Sequence, residues 1–410
     1  MPYASITRAV TGNPPDSTRG LRPKSAPLEA RPGEPYRNIL LTLLLPIGDT
    51  LFATPAIRAL RCAYPQARIS AVVFPTNRAV LENNPHVDRL LVHATRESWP
   101  GGAPFLSFFA QRRREQYDLA VHFAAYHGYY GLACGIPRQL LLPCPWLSWL
   151  IPHANHGWRQ RHATHTYLSI LRPLGLPAAD DRPLLELSAD QRTFAADYLA
   201  RHGARESELL LGLHPGGSGF RGMKRWAPEG FGWVARQLAK RRPVRLIFFG
   251  SAAERPLAEA AAAGAGGLPA INACGATTLS ETIALLGRID LVIGNDSAPL
   301  HLAAALGTRA VGVYGPTNRD TFRPTGPRVR VVAGSVRCPG NYGFFGSRPI
   351  WAARECRGEC LASIDPIQVL QAAEDLLAEG TTGHRSSGTA NNQPPPRQVA
   401  TRHPELVRDS

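Results

Sequence analysis

Short apolar runs rich in β-branched residues alternate along the chain with helix-length segments and with polar or glycine-rich breaks. This pattern is typical of βαβ units, in which a helix follows each strand of a parallel sheet. The runs that predict strands are 39–45, 68–74, 87–93 and 117–123 in the first half, and 209–214, 244–250, 269–273, 291–294, 310–314 and 328–332 in the second. The segments that predict helices are 50–63, 228–240, 255–263, 279–287, 297–306 and 366–378. The predicted fold class is therefore α/β.

These strands are too many for one ordinary doubly wound sheet, so we expect two sheets. A junction is predicted within 184–205, where an amphipathic helix follows a proline-rich turn. We therefore expect two Rossmann-like domains, one over residues 37–185 and one over residues 186–380. Segment 126–165 is rich in proline and aromatic residues, and its periodicity predicts neither helices nor strands.

The composition places limits on class and compartment. The chain has 410 residues, 44% of them hydrophobic, but residues 1–36 and 381–410 have the polar, proline-rich composition of disordered tails. No window holds the roughly 18 uncharged apolar residues of a spanning helix, and the first tail lacks an apolar signal core. We expect a cytoplasmic protein, although an organellar transit peptide stays open. Seven scattered cysteines fit a reducing compartment.

The chain is strongly basic, with 46 Lys and Arg against 31 Asp and Glu and a formal net charge of +15. Most of this excess lies between the two tails. A basic surface suits an anionic ligand, a nucleic acid or an acidic membrane face, and it also occurs as an ordinary solvated surface. The charge alone does not choose among these partners, so the motifs must.

The first candidate site lies where the strand 39–45 runs through Pro46 and Gly48 into a helix. Asp49 stands in this turn. Ligands of open α/β sheets bind outside the carboxyl ends of strands, which favours chemistry at Asp49. The alternative is that Asp49 only caps the helix. The phosphate-binding patterns GxGxxG and GxxxxGK[ST] are both absent here.

Two further strand ends in the second half suit an anion. His214–Ser218 (HPGGS) and Lys224 combine close backbone approach, a hydroxyl and a positive charge, as a diphosphate requires. Gly294–His301 leads from a strand to a helix N-terminus, where free N–H groups and the helix dipole attract anions. Glu254 follows another strand at a position where a ribose-binding carboxylate often stands. Polar loops, helix caps and a satisfied core histidine are the simpler explanations.

The three strand-end sites, taken together, indicate a function more specifically than any one of them. An anion-binding half opposite a carboxylate, across a cleft between two domains, suits group transfer from a nucleotide.

The motifs that support this interpretation resemble glycosyltransferase family 9, the heptosyltransferases of lipopolysaccharide inner-core assembly. The resemblance covers about residues 38–377. The matching segments are Gly48–Leu60 (GDTLFATPAIRAL) with Tyr64–Pro65, His214–Ser218 with Lys224–Trp226 (KRW), Asn295–Ala303 (NDSAPLHLA) and Gly315–Thr317 (GPT). The family has the GT-B fold, two facing Rossmann-like domains with a cleft between them.

The resemblance implies an inverting, metal-independent transfer of a heptose or related sugar from ADP-heptose to an inner-core acceptor, with no cofactor. It implies that Asp49 is the catalytic general base. The implied donor-binding residues are Ser218, Lys224, Glu254, Asp296, Ser297 and His301. The implied partners are a nucleotide sugar, a lipid-linked oligosaccharide acceptor and, peripherally, the anionic cytosolic face of the inner membrane, with no nucleic acid.

Two positions depart from the family pattern. Ala298 stands where the family often has glycine, which narrows the backbone approach to a phosphate, and Ala227 is an extra residue after the KRW segment. Cys338, Cys356 and Cys360 are spaced too widely for a typical zinc site, so we expect ordinary thiols. Arg112–Arg114 is interpreted as a solvated helix face, with acceptor or membrane attraction as the alternative.

The alternatives are a family 9-like transferase with another nucleotide sugar or acceptor, a family member that binds without transfer, a basic nucleic-acid-binding protein and a nicotinamide oxidoreductase. The nucleic-acid alternative lacks any recognisable binding motif. The oxidoreductase alternative lacks GxGxxG after a strand.

Overall fold

The computed structural model describes residues 36–93, 103–124, 127–141, 162–176, 180–217, 223–336, 358–379 and 405–407. Within these ranges the chain forms two six-stranded sheets, and every strand pair in them is parallel. The prediction of two sheets rather than one is confirmed.

The first sheet has the strand order β12-β3-β2-β1-β4-β5. Its strands are β1 (Asn38–Leu43), β2 (Arg68–Val73), β3 (Arg89–Val92), β4 (Leu119–His122), β5 (Gln139–Leu141) and β12 (Glu405–Val407). Strand β5 falls in the segment for which the sequence predicts no element. Strand β12 falls in the segment 381–410, whose composition predicts disorder, and it pairs with β3 at the edge of the sheet.

The helices of the first half are α1 (Ile47–Phe52), α2 (Thr54–Ala63), α3 (Ala103–Gln111), α4 (Gly128–Cys134) and α5 (Ala163–Ser169). The sequence predicts one helix over 50–63, but the structure divides it at Ala53. Pro55 is the cause, because proline lacks the N–H that a continuous helix needs and fits only in a first turn. The short helix α1 is thereby separated and carries Asp49 in its first turn.

The second sheet has the strand order β11-β10-β9-β6-β7-β8. Its strands are β6 (Leu209–His214), β7 (Val244–Phe248), β8 (Ala270–Asn272), β9 (Leu291–Asn295), β10 (Arg309–Tyr314) and β11 (Val329–Ala333). The helices from residue 189 onward are α6 (Ala189–Arg201), α7 (Pro228–Ala239), α8 (Arg255–Gly264), α9 (Leu279–Leu286), α10 (Ala298–Ala305), α11 (Arg319–Phe322), α12 (Glu359–Ala362) and α13 (Pro366–Ala378).

Both sheets follow the doubly wound order, in which the chain direction across the sheet reverses beside the first strand. In the first sheet this switch point lies between β1 and β4, and in the second between β6 and β9. Ligands of such sheets bind in the crevice at the switch point. The candidate residues follow β1, β6 and β9, so the topology places them at these two crevices.

The two domains share one apolar core. A single cluster of buried side chains runs from the β1–β4 region of the first sheet to α9 and α10 of the second domain. The opposite faces of the sheets have separate clusters. Because parallel sheets bury both faces, their strands are nearly continuous apolar runs. Such apolar runs are what predicted most of the strands from the sequence. No helix in the described ranges is long and apolar enough to cross a membrane.

Candidate active site

The turn that carries Asp49 is fixed by a buried asparagine. The Nδ2 atom of Asn77 lies 2.8 Å from the carbonyl oxygen of Leu43, 3.1 Å from that of Leu45 and 2.6 Å from Oγ1 of Thr50. Asn77 is fully buried. An amide inside the protein that contacts three oxygens of one turn restricts the backbone there. The side chain of Asp49 therefore leaves the sheet from a defined position.

The Asp49 carboxylate accepts a hydrogen bond from the Tyr167 hydroxyl, with 2.9 Å between the hydroxyl oxygen and Oδ1. Burial raises the pKa of Asp49 above its ordinary value, and it outweighs the opposing effects of the Tyr167 hydrogen bond, His301 and Lys224. A partly desolvated carboxylate with a raised pKa is a stronger base than one in water. Asp49 thus has the electrostatic surroundings of a general base.

The second domain presents a buried carboxylate between two basic side chains. Lys224 Nζ lies 2.8 Å from Asp296 Oδ2, and His301 Nε2 lies 3.4 Å from Asp296 Oδ1. Burial would raise the pKa of Asp296, but hydrogen bonds and charge attraction from His301 and Lys224 hold it well below its usual range. Asp296 is therefore ionised, and it holds both basic groups at the start of α10.

His301 joins the two crevices. Its ring contacts that of Phe52 edge to face, with 5.0 Å between the centroids, and a Cβ added at Gly48 would lie 3.7 Å from its Cδ2. The ring is buried, and its Nδ1 has no hydrogen-bond partner in the described part of the chain. Helices α1 and α10 pack together at this point. Asp49 and the Lys224–Asp296 pair therefore belong to one site between the domains.

Ser297 is engaged by a histidine. His214 Nδ1 lies 2.8 Å from the carbonyl oxygen of Phe249, and His214 Nε2 lies 2.9 Å from Ser297 Oγ. A carbonyl only accepts, so the proton of neutral His214 is on Nδ1 and the Ser297 hydroxyl donates to Nε2. Burial lowers the pKa of His214, which favours this neutral form. His214 thereby orients Ser297 at the first turn of α10.

The loop after β6 is held by Asn295. Its Nδ2 donates to the carbonyl oxygens of Pro215 and Gly216, at 2.9 and 2.8 Å, and its Oδ1 accepts from the backbone N–H of Trp226 at 3.0 Å. Asn295 is fully buried. One side chain thus joins the ends of the loop 215–226 to β9, and it places Lys224 beside Asp296.

Glu254 braces the same loop from the other side. Its carboxylate accepts from the backbone N–H of Gly217 at 2.7 Å, and from the backbone N–H and hydroxyl of Ser251, both at 2.8 Å. Burial would raise the pKa of Glu254, but these bonds lower it overall. A Cβ at Gly216 would clash with this carboxylate, so a larger residue there would displace Glu254 from these hydrogen bonds.

The structure brings together four of the residues that the family resemblance implicates, namely Asp49, Lys224, Asp296 and His301. Ser297 and Glu254 lie at neighbouring strand ends, tied to His214 and to the loop after β6. Ser218 lies outside the described residues. Four further residues organise the site without a role predicted from the sequence, namely Asn77, Tyr167, His214 and Asn295.

The arginine run Arg112–Arg114 and the late cysteines are partly described by the structure. The sequence predicts a solvated helix face at Arg112–Arg114, and for Arg112 this prediction is wrong. Its guanidinium is buried, lies over the Phe108 ring at 3.6 Å from the centroid and donates to the Phe108 carbonyl oxygen. Arg113 and Arg114 are exposed. Cys360 is buried, while Cys338 and Cys356 lie outside the described residues. Within the described ranges, no three His, Cys, Asp or Glu side chains form a group that could hold a metal ion.

Comparisons with known proteins agree with this geometry. Residues 146–341 match glycosyltransferase family 9 (heptosyltransferase). The lipopolysaccharide core heptosyltransferase OpsX of Haemophilus influenzae is 25% identical over 291 residues, which are 68% of this chain and 80% of that protein. The crystal structure of a family 9 glycosyl transferase from Veillonella parvula has a TM-score of 0.73 at 24% identity and covers 85% of this chain and 99% of its own. The ADP-heptose lipopolysaccharide heptosyltransferase II of Escherichia coli has a TM-score of 0.65 at 21% identity, covering 83% and 99%.

The two doubly wound sheets and these structural similarities define the GT-B fold. Residues 146–341 carry the sequence pattern of glycosyltransferase family 9, the heptosyltransferase family, and two curated lipopolysaccharide heptosyltransferases are similar to the chain at 25% and 26% identity. The fold class and the family predicted from the motifs are confirmed. The nicotinamide oxidoreductase and nucleic-acid-binding alternatives are set aside.

Proposed function

We propose that the protein is an inverting glycosyltransferase that moves a heptose, or a related sugar, from ADP-heptose to a lipid-linked acceptor of the lipopolysaccharide inner-core type. The observation that carries this proposal is the placement of Asp49 opposite the Lys224–Asp296–His301 group, with Phe52 and His301 in contact between them. A base on one side of the site and the Lys224 ammonium on the other suit nucleophilic displacement at an anomeric carbon.

In the proposed reaction, the acceptor hydroxyl oxygen attacks the anomeric carbon while Asp49 takes the hydroxyl proton. The bond between that carbon and the diphosphate oxygen breaks, and its electron pair goes to the diphosphate. Lys224 offsets the charge that develops there. A bare carboxylate would repel a diphosphate, so Asp296 acts by holding Lys224 and His301 in place. Attack from the face opposite the leaving group inverts the configuration.

The remaining donor contacts follow from the loops. The backbone N–H groups at the start of α10 would face the diphosphate, with Ser218 and Ser297 as hydroxyl neighbours. Glu254 stands at the end of β7, where we place the nucleoside. Its bonds to Gly217 and Ser251 leave it to shape this pocket through the loop backbone. We propose that the acceptor is presented at the anionic cytosolic face of the inner membrane, which suits the net charge of +15.

The identity of the donor is tested by a thermal-shift series with ADP-, UDP- and GDP-sugars at equal concentration. ADP-heptose is expected to raise the melting temperature most, because a ligand that binds only the folded state stabilises it by mass action. Stabilisation by UDP- or GDP-sugars alone would refute ADP-heptose as donor. It would instead favour the second candidate, a family 9 transferase with another nucleotide sugar.

A further inference from the structure

Tyr167 reaches Asp49 from a distant part of the chain. It lies on α5, 118 residues from Asp49 in sequence, and its side chain is 1% exposed. Its hydroxyl donates to Oδ1 of Asp49 at 2.9 Å. Asp49 Oδ2 makes no hydrogen bond to any described residue. The two carboxylate oxygens therefore have different surroundings, one bound to the protein and one available to a ligand.

Helix α5 is fixed at its first residue. The N–H of Thr164 donates to Nδ1 of His162 at 3.2 Å, so in the neutral ring the proton is on Nε2. This Nε2 donates to the backbone carbonyl of Arg323, in the second domain, at 2.9 Å. The His162 ring also contacts Phe52 edge to face, with 5.4 Å between centroids. The start of α5 is thus held against both α1 and the second domain.

The tyrosine ring is fixed by packing as well. It contacts the Phe123 ring at 5.7 Å between centroids, and it lies in the core cluster that includes Leu51 and Phe52 of α1. A ring that is packed on its faces has little freedom to rotate. The Tyr167 hydroxyl therefore stands at a fixed point beside the carboxylate.

We propose that Tyr167 is a positioning residue for the general base: it holds Oδ1 of Asp49 and directs Oδ2 toward the acceptor hydroxyl. This inference rests on the proposed function, because it assumes that Asp49 takes the proton in sugar transfer. A hydrogen bond to one carboxylate oxygen restricts rotation of the carboxylate about the Cβ–Cγ bond before the reaction begins. Positioning of this kind lowers the barrier without a contact to the substrate.

The same hydrogen bond affects protonation. Burial raises the pKa of Asp49, and the Tyr167 bond opposes this, together with His301 and Lys224, while Asp296 adds to the rise. These groups face Asp49 from α5, α10 and the loop after β6. Removing the hydroxyl removes one of the opposing effects, so the pKa of Asp49 should rise further. Because the base must be ionised to act, the acid limb of the pH–activity profile should move to higher pH.

The test uses the full chain with Tyr167→Phe, which keeps the ring, and with 3-fluorotyrosine introduced at position 167. The fluorinated phenol is more acidic and donates a stronger hydrogen bond, so the two changes should move the acid limb in opposite directions. Two quantities are measured, the pH profile of kcat/KM for sugar transfer and the ¹³C NMR titration of the Asp49 carboxyl, assigned by its loss in Asp49→Asn. Tyr198→Phe, on α6 and away from the site, is the matched control.

The expected result is a limb and a titration moved to higher pH by Tyr167→Phe and to lower pH by fluorotyrosine, with Tyr198→Phe unchanged. On the plateau above the limb, Tyr167→Phe should still be about tenfold slower, as expected for a lost hydrogen bond to a charged group. A slower enzyme with an unmoved limb would show a merely structural role and overturn the inference. If the wild-type protein transfers no sugar, the proposed function itself fails, and the two failures are thereby distinguished.

Discussion

Among single residues, the two carboxylates of the site have pKa values shifted in opposite directions. Asp49 has one hydrogen-bond donor, Tyr167, and burial raises its pKa. Asp296 has two basic partners, which hold its pKa below the usual range although it is buried too. A difference in hydrogen-bonding and charged partners, rather than in burial, therefore determines that the pKa of Asp49 is raised and that of Asp296 is lowered. Enzymes assign acid–base roles to similar side chains in the same way.

Lys224 provides the first prediction at this scale. Lys224→Met keeps the length of the side chain but removes the charge that would meet the donor diphosphate. We expect donor affinity to fall about tenfold or more, since a hydrogen bond to a charged group contributes roughly 1.5–3 kcal/mol. Isothermal titration with ADP-heptose measures it. Lys240→Met, at the exposed end of α7, is the control and should bind normally. Equal affinity in both variants would remove Lys224 from the donor site.

The residues of the site differ in whether their role could be predicted from the sequence. Lys224 and Asp296 stand in short motifs at strand ends, where the fold class alone suggests ligands. Tyr167 has no such motif, and its contact with Asp49 spans 118 residues. Asn295 and His214 were visible within motifs, but their roles depend on which backbone carbonyls fold back onto them. Such roles follow from tertiary geometry and not from residue type.

At the level of elements, Asn295 links the two described ends of the loop after β6, at Pro215–Gly216 and at Trp226. Asn295→Ala would leave the Trp226 N–H without its acceptor and two carbonyl oxygens without their donor, all in a buried place. Each unsatisfied buried group costs about 1–3 kcal/mol, so we expect a loss of roughly 3 kcal/mol or more in the free energy of unfolding. Urea denaturation measures this loss.

The control for this variant is Asn318→Ala. Asn318 caps the short helix α11 through a single bond to the Asp320 N–H at 2.9 Å. Loss of a cap costs about 1 kcal/mol. If Asn295→Ala were no more harmful than Asn318→Ala, the loop would not depend on Asn295.

Most elements could be predicted because parallel strands are continuous apolar runs and helices fill the intervals. The structure also contains elements that were not predicted, namely the separate helix α1, the helices α3, α4, α5, α11 and α12, and the strands β5 and β12. The helix over 50–63 divides because Pro55 cannot donate within it, so the first turn with Asp49 is a separate element. Strands β5 and β12 have three residues each, too short to show a periodicity.

In the whole molecule, the two halves of the chain are also joined by a polar junction of Glu82, Asn83, Gln191 and Ser280. Ser280 at the start of α9 donates to Glu82 at 2.5 Å, and Gln191 of α6 donates to the same Glu82 oxygen at 3.2 Å. Asn83 donates to Gln191 at 2.8 Å. The junction therefore links the first domain to both α6 and α9.

Glu82→Ala should loosen this junction, because two donors lose their shared acceptor. We expect faster hydrogen exchange of the amides at the start of α9 and a loss of about 1–3 kcal/mol in stability. Exchange monitored by mass spectrometry is the measurement. Glu206→Ala, an exposed residue, is the control and should leave exchange there unchanged. Protection equal to wild type in Glu82→Ala would show that the apolar core alone holds the domains.

The net charge of +15 also belongs to this scale. From composition it suited nucleic acid as well as an anionic ligand. The match to family 9 disfavours the first option, and the proposed diphosphate donor and anionic acceptor would both be attracted to a basic surface. The net charge predicts an anionic partner, and the motifs indicate that this partner is a nucleotide sugar.

Asp49 is the proposed base in sugar transfer from a nucleotide donor, and the whole proposed reaction depends on it. The most direct test compares heptose transfer from ADP-heptose to truncated inner-core lipopolysaccharide by the wild-type protein and by Asp49→Asn, both first shown to bind ADP-heptose. Removal of a general base typically costs 10² to 10⁴-fold in rate. We expect a fall of about that size in kcat for Asp49→Asn, with donor affinity retained. Near-wild-type transfer by Asp49→Asn would contradict it.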